Sequence, residues 1–462
     1  MKRIISFLLC IVLAGALLTG CGAQKESGDS ASTVAEQITE TQAVETTAEV
    51  KSPEIVTITW FDESLDDSGM ANLHKYLLDP MAEKLPHIKI DYQTAKNHND
   101  ILKVKMAAGD GPDMFAMSGP VLAAEFAYAE RLKDLSSYVT QYGWDKIIFP
   151  WALNACKVGE KVYSIPSSYE GLVLWYNADM MQANNWEVPK TYADLEKIAK
   201  DCKAKGLMPF VFGTSDFKPA NEWFYSVVLN AYCGNEAMKK VLSGEAKWTD
   251  EPYKGAISLF DKMWQDGWIT DKKSHSISYD DATSLFLQER APFKMEGTWF
   301  YSSMSMLSDI KFKYDMALFP SLKDGVTQKL PLALGGCYGI NGTSKYADQA
   351  AEVINWLYTN VDYHAKAVEA GAQTMPIDIP ANLFTDKMNP VQKKMIKVLV
   401  DAQASGDVGY CSWTFWPPKT ESYMAENIEK VFLKTMTVDD YLKNVQAVFD
   451  EEKAAGKLPV IP

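Results

Sequence analysis

The chain has 462 residues, 47% of them hydrophobic, and a formal net charge of −14. Its length suggests about two or three domains, and its apolar content is enough for ordinary globular cores. An acidic surface repels phosphate backbones and anionic lipid, so nucleic acid and direct adsorption to membrane charge are not expected partners.

Lys2 and Arg3 open the chain, and an apolar stretch follows from Ile4 to Leu18. That stretch is shorter than the ~20 residues a bilayer crossing needs, and no stop-transfer charges follow it. The pattern predicts a secretory signal peptide over 1–20. The run Leu17-Leu18-Thr19-Gly20-Cys21 resembles the lipobox of bacterial lipoproteins, which would make Cys21 the lipid anchor. Residues 21–52 are rich in Ser, Thr, Glu, Gln and Ala and cannot bury enough surface to offset ordering, so a disordered linker is expected. The expected location is the extracytoplasmic face of the cell membrane, held by lipid alone.

Regular structure is expected from Ile55-Val56-Thr57-Ile58-Thr59-Trp60, a β-branched run that reads as a buried strand. A helix near Leu73 to Lys84, a strand Ile88 to Tyr92, a helix Asn99 to Ala108 and a strand Asp113 to Met117 follow. Such alternation predicts a parallel sheet flanked by helices. Further on, Val162 to Ile165 and Leu172 to Tyr176 read as two strands. Thr191 and Asp194 form a capping-box pattern ahead of a helix with Leu195, Ile198, Ala199 and Cys202 on one face. Helices are expected near Trp223 to Tyr232, Tyr253 to Gln265 and Ala347 to Thr359. Strands are expected at Pro209 to Phe212, Ala291 to Met295, Tyr314 to Phe319 and Leu332 to Ile340. The last 70 or so residues read as helical, with Val438, Tyr441, Leu442, Val445, Val448 and Phe449 in one stripe.

Beyond Cys21 five cysteines remain, Cys156, Cys202, Cys233, Cys337 and Cys411, with no CxxC pair. They read as mostly buried small apolar residues, and a disulfide framework is not expected. No HExxH, nucleophile elbow or Walker loop occurs, so neither metal nor cofactor is expected.

Four segments, in order, resemble the family 1 extracellular solute-binding proteins of ATP-binding-cassette importers, the maltose-binding-protein group. They are Ala108-Gly109-Asp110-Gly111-Pro112-Asp113, then Val162 to Pro166 with Glu170 to Asp179 and Pro189 to Leu195, then Glu296-Gly297-Thr298-Trp299, then Leu334 to Ile340 with Ser344-Lys345. The resemblance implies an α/β, two-lobed periplasmic-binding-protein-like fold of type II with a helical C-terminal tail. It places lobe 1 at 53–168 plus 336–375, lobe 2 at 169–335 plus 390–462, and a third hinge crossing at 376–389. It also implies capture of a carbohydrate, an oligosaccharide by the abundance of rings, by a monomer that delivers it to the membrane subunits of an importer.

By family position the ligand-binding candidates are Asp62 and Ser118 at strand ends, Tyr169 and Glu170 at the first crossing, and Glu222 and Trp223 ahead of a helix. Trp299 of the Gly-x-Trp segment, Gly335 and Gly336 at the second crossing, and Trp413 and Trp416 near the C-terminus complete the set. Sugars present apolar faces and hydroxyl rims, so aromatic rings with carboxylates are the chemistry they need. Glu170, Glu222 and Glu296 could instead supply the carboxylate pair of a tethered glycoside hydrolase. A surface adhesin and a carrier of polyols or glycerol phosphates are further alternatives.

Overall fold

The computed structural model of the chain describes residues 55–307 and 310–462. The expected signal peptide, Cys21 and the linker lie outside the described residues. The strands are β1 (Val56–Glu63), β2 (Ile88–Ala95), β3 (Met114–Met117), β4 (Lys157–Val158), β5 (Lys161–Val162), β6 (Ile165–Asn177), β7 (Phe210–Val211), β8 (Phe293–Gly297), β9 (Tyr314–Ala317), β10 (Pro331–Ile340) and β11 (Gly409–Tyr410). Apart from the β4–β5 hairpin they join one sheet in the order β2-β1-β3-β10-β6-β8-β7, with β11 added to β10 and β9 to β6.

The sheet is mixed, which departs from the all-parallel expectation. β1 runs parallel to β2 and β3, and β7 to β8. β10 is antiparallel to both β3 and β6, and β6 is antiparallel to β8 and β9. The reversal follows from connectivity: β6 carries the chain out of one half of the molecule and β10 brings it back. The two strands expected at Val162–Ile165 and Leu172–Tyr176 are largely one. β6 runs 13 residues, pairing through Ile165–Gly171 with β10 and through Leu172–Asn177 with β8 and β9. Pro166 sits inside it, opposite Cys337, where the β6–β10 register shifts; the irregularity accommodates a residue that cannot donate to the ladder.

Side-chain alternation along β6 then distributes two apolar cores. Val173 and Trp175 join a cluster with Ile58, Trp60, Phe115 and Ile354, while Leu172, Leu174 and Tyr176 join another with Phe210, Phe224, Phe260 and Phe449. Helices cover the sheet where the apolar spacing places them. Tyr192–Ala204 starts on the Thr191 capping box, with the Asp194 N–H donating to Thr191 Oγ1 and the Thr191 N–H to Asp194 Oδ2. Ala347–Thr359 has its expected bounds. The helical tail comprises Pro390–Ser405, Ser412–Phe415, Pro418–Phe432 and Val438–Ala454, and the last buries Tyr441, Leu442, Val445 and Phe449. The stretch expected near Leu73–Lys84 spans Asp67–Lys84, with a π-helical segment at His74–Leu78 in its middle. No helix among the described residues is long and apolar enough to cross a membrane.

Candidate functional site

The site is built where β6 and β10 cross. Glu170 lies on β6 opposite Ala333, and the next residue but one on β10 is Gly335. A Cβ on Gly335 would stand 2.3 Å from Glu170 Oε2, so the carboxyl occupies space that any other residue would fill. Gly336 similarly leaves room for the Ser167 hydroxyl. Glu170 is 5% exposed, and its Oε1 accepts the indole N–H of Trp413 at 3.1 Å. Burial, with Glu296 and Glu63 nearby, pushes the carboxyl up to about 8 against the pull of that N–H. At neutral pH Glu170 is therefore mostly a neutral acid.

Trp413 is the second residue of the short helix Ser412–Phe415 and meets Trp299 edge to face at 5.9 Å between ring centroids. Trp299 meets Trp223 at 5.2 Å, and Trp223 meets Tyr279 at 5.8 Å and the exposed Phe217 at 6.2 Å. Trp223 and Trp299 are half-buried and Trp413 is 8% exposed, so the array grades outward from Glu170. The Gly-x-Trp spacing has a steric reason here. A Cβ on Gly297 would come within 1.8 Å of the Trp299 ring, which folds back over that backbone.

Trp299 is fixed by the same device as Trp413. Its indole N–H donates to Glu296 Oε1 at 2.9 Å. Glu296, fully buried on β8, is paired through Oε2 with the equally buried Lys294 at 2.9 Å. Lys294 Nζ lies 4.5 Å from the Tyr279 ring centre and 5.1 Å from that of Phe300, a cation held between aromatic faces. Burial still holds the Glu296 carboxyl above its usual range, outweighing Lys294.

The remaining candidates divide. Asp62 is the penultimate residue of β1, half-buried beside Tyr92 and Tyr338, and desolvation raises its carboxyl to about 6. Ser118 is exposed and accepts from Asn99 Nδ2 at 2.7 Å; its neighbour Gly119 abuts the Trp413 backbone. Glu222 and Trp223 turn to different partners. Glu222 is buried behind Trp413, where Ser412 Oγ donates to its Oε2 at 2.9 Å. Burial and the adjoining Glu421 carboxyl hold Glu222 well above the carboxylate range. Tyr169 lies on the face of β6 opposite Glu170, 2% exposed, packed on Phe149 and Trp151. Trp416 is fully buried against Trp248, 5.9 Å away, and belongs to the apolar core rather than the aromatic array. Its indole is directed away because the helix carrying Trp413 ends between the two.

Lys294, Tyr279, Tyr92 and Tyr338 escaped the sequence reading, and Glu296 entered it only as half of a catalytic pair. Its place immediately before the Gly-x-Trp glycine was the available signal for Glu296. The other four are gathered from distant segments. Among the described residues no group of three or more His, Cys, Asp or Glu is placed to hold a metal ion.

Two α/β halves joined by long antiparallel crossings, with rings and acceptors at the junction, define a two-lobed periplasmic-binding-protein-like fold of type II. Solved structures share it. A chitin oligosaccharide binding protein aligns with TM-score 0.73 at 20% identity, covering 87% of this chain and 99% of that one. A solute-binding protein, RafE, in complex with raffinose aligns with TM-score 0.67 at 20% identity over 86% and 100%. Residues 68–363 match the model of the bacterial extracellular solute-binding proteins, and this chain belongs to that family. The maltotriose-binding protein of Pyrococcus abyssi is 26% identical over 60% of this chain, a match spanning 57% of that protein's length. A maltooligosaccharide ABC transporter solute-binding lipoprotein of Streptococcus pneumoniae is 28% identical over 58% of this chain and 62% of its own.

Proposed function

We propose that this protein captures a neutral oligosaccharide between its lobes and delivers it to the membrane subunits of an ABC importer, without turning it over. The observation that carries the reading is the pair Trp413–Glu170 and Trp299–Glu296. Both indole N–H groups are committed to buried carboxyls, so the two rings offer faces for stacking and no donor. Among the described residues the buried lysine beside them, Lys294, is 1% exposed and already paired. Ring faces with no unpaired buried cation beside them suit the apolar faces of a sugar and disfavour phosphates. This favours a sugar over the glycerol-phosphate alternative, and the names of the relatives point the same way. Ligand touching both 53–168 plus 336–375 and 169–335 plus 390–462 would shift the population toward a closed form, with 376–389 as a third hinge. Cys21 as lipid anchor would keep the carrier at the extracytoplasmic face, close to its importer.

Thermal shift and calorimetry against mono- and oligosaccharides, polyols and their phosphates test this. A neutral oligosaccharide at 100 times its Kd adds ~2.7 kcal/mol of stability. Binding confined to phosphates, or release of shorter sugars on incubation, would overturn the reading in favour of another solute or a hydrolase.

A further inference from the structure

The ligand site uses none of the cysteines, and two of them form a cluster of their own. Cys156 and Cys337 lie with Sγ atoms 3.6 Å apart, 4% and 0% exposed. Cys156 caps the C-terminus of the helix Pro150–Ala155, just ahead of β4, β5 and β6. Cys337 sits on β10 immediately after Gly335 and Gly336. Beside Cys337 lies the buried Ser164 hydroxyl. The other three are placed differently: Cys202 and Cys411 are buried, and Cys233 donates to the Pro252 carbonyl at 3.2 Å.

The two positions are 181 residues apart in sequence, and the chain between them contains β6, β7, β8 and β9. It leaves on β6 and returns on β10. We propose that Cys156 and Cys337 are a disulfide-forming pair, a covalent staple across the root of the two crossing strands.

Bond formation asks the sulfurs to approach by about 1.5 Å, to the usual ~2.05 Å. The oxidant is a small disulfide of the oxidised-glutathione class. One cysteine thiolate attacks a sulfur of it, forming a mixed disulfide and expelling one thiolate. The second cysteine thiolate attacks the protein-bound sulfur of that mixed disulfide, forming the Cys156–Cys337 bond and expelling the second thiolate. Two electrons pass from the cysteine pair to the oxidant, and the two cysteine protons end on the released thiols. Burial pushes the Cys337 thiol up, so the folded protein reacts slowly and the bond forms while the chain is folding or open. Once formed, it closes a long loop, which restricts the unfolded chain strongly. The inference does not depend on the identity of the ligand.

The test unfolds the full chain in denaturant, refolds it with oxidised and reduced glutathione, and maps alkylated and cross-linked peptides without reduction. The expected result is a Cys156–Cys337 cross-link, with Cys202, Cys233 and Cys411 alkylated. The oxidised form should melt roughly 5–10 °C above the reduced one. Cys156→Ser and Cys337→Ser should each abolish that difference. Full alkylation of both thiols after oxidative refolding, or cross-links scattered among all five cysteines, overturns the proposal. The map of the unsubstituted protein decides this even where a serine variant fails to fold.

Discussion

Replacing Glu170 with Gln separates the cost of the site from its benefit. Glu170 titrates at about 8 in the folded protein against 4.5 ordinarily. A raised carboxyl means that the folded state keeps a proton the unfolded state releases. Stability from this group is therefore full below pH 4.5 and is lost as pH rises toward 8. At pH 7 the loss is about 3 kcal/mol, and at pH 5 about 1 kcal/mol. Gln is neutral at both, and its carbonyl can keep accepting the Trp413 N–H. Glu170→Gln should thus stabilise the protein by about 3 kcal/mol at pH 7 and by about 1 kcal/mol at pH 5. Denaturant unfolding of both proteins at the two pH values measures it. A gain independent of pH, or a less stable variant at pH 7, would refute the argument.

Three further outcomes follow from the same geometry. Lys294→Met leaves Glu296 buried and unpaired and should cost about 3–5 kcal/mol, while Lys294→Met with Glu296→Met recovers most of it. Denaturant curves that show the double variant no better than the single would refute the pairing. Trp416→Ala should cost about 3–5 kcal/mol of stability yet leave the affinity of the folded protein unchanged, whereas Trp299→Ala abolishes binding. Calorimetry on both tells core from site. Gly297→Ala drives a methyl into the Trp299 ring and should weaken sugar binding about tenfold or more, read by titration.

What is local was legible. The Thr191 box, the bounds of Ala347–Thr359 and the stripe on Val438–Ala454 depend on neighbours within a turn or two. Glu170 and Trp299 were legible through the segments around them. Trp413 and Trp416 were not separable, because three residues apart on paper they share a composition, and only the end of a short helix sends one to the aromatic array and one to the core. The Lys294–Glu296 pair shows in the sequence as two charges on one strand face. Its burial depends on Tyr279 and Phe300, brought in by separate helices, and no spacing rule reports that. The mixed sheet was missed for a related reason: β6 and β10 are antiparallel because they are an exit and a return, which alternation of strands and helices does not encode.

That return strand also sets a schedule. Among the described residues β10 is the strand that pairs β3 on one side and β6 on its first half. A growing chain that has made β1, β2, β3 and β6 still lacks the strand between them until Pro331–Ile340 emerges. Closure of the sheet thus waits on contacts of very long sequence separation, the slow kind. For most of its synthesis the polypeptide stays unclosed, the state in which a chain can still be threaded through a membrane pore.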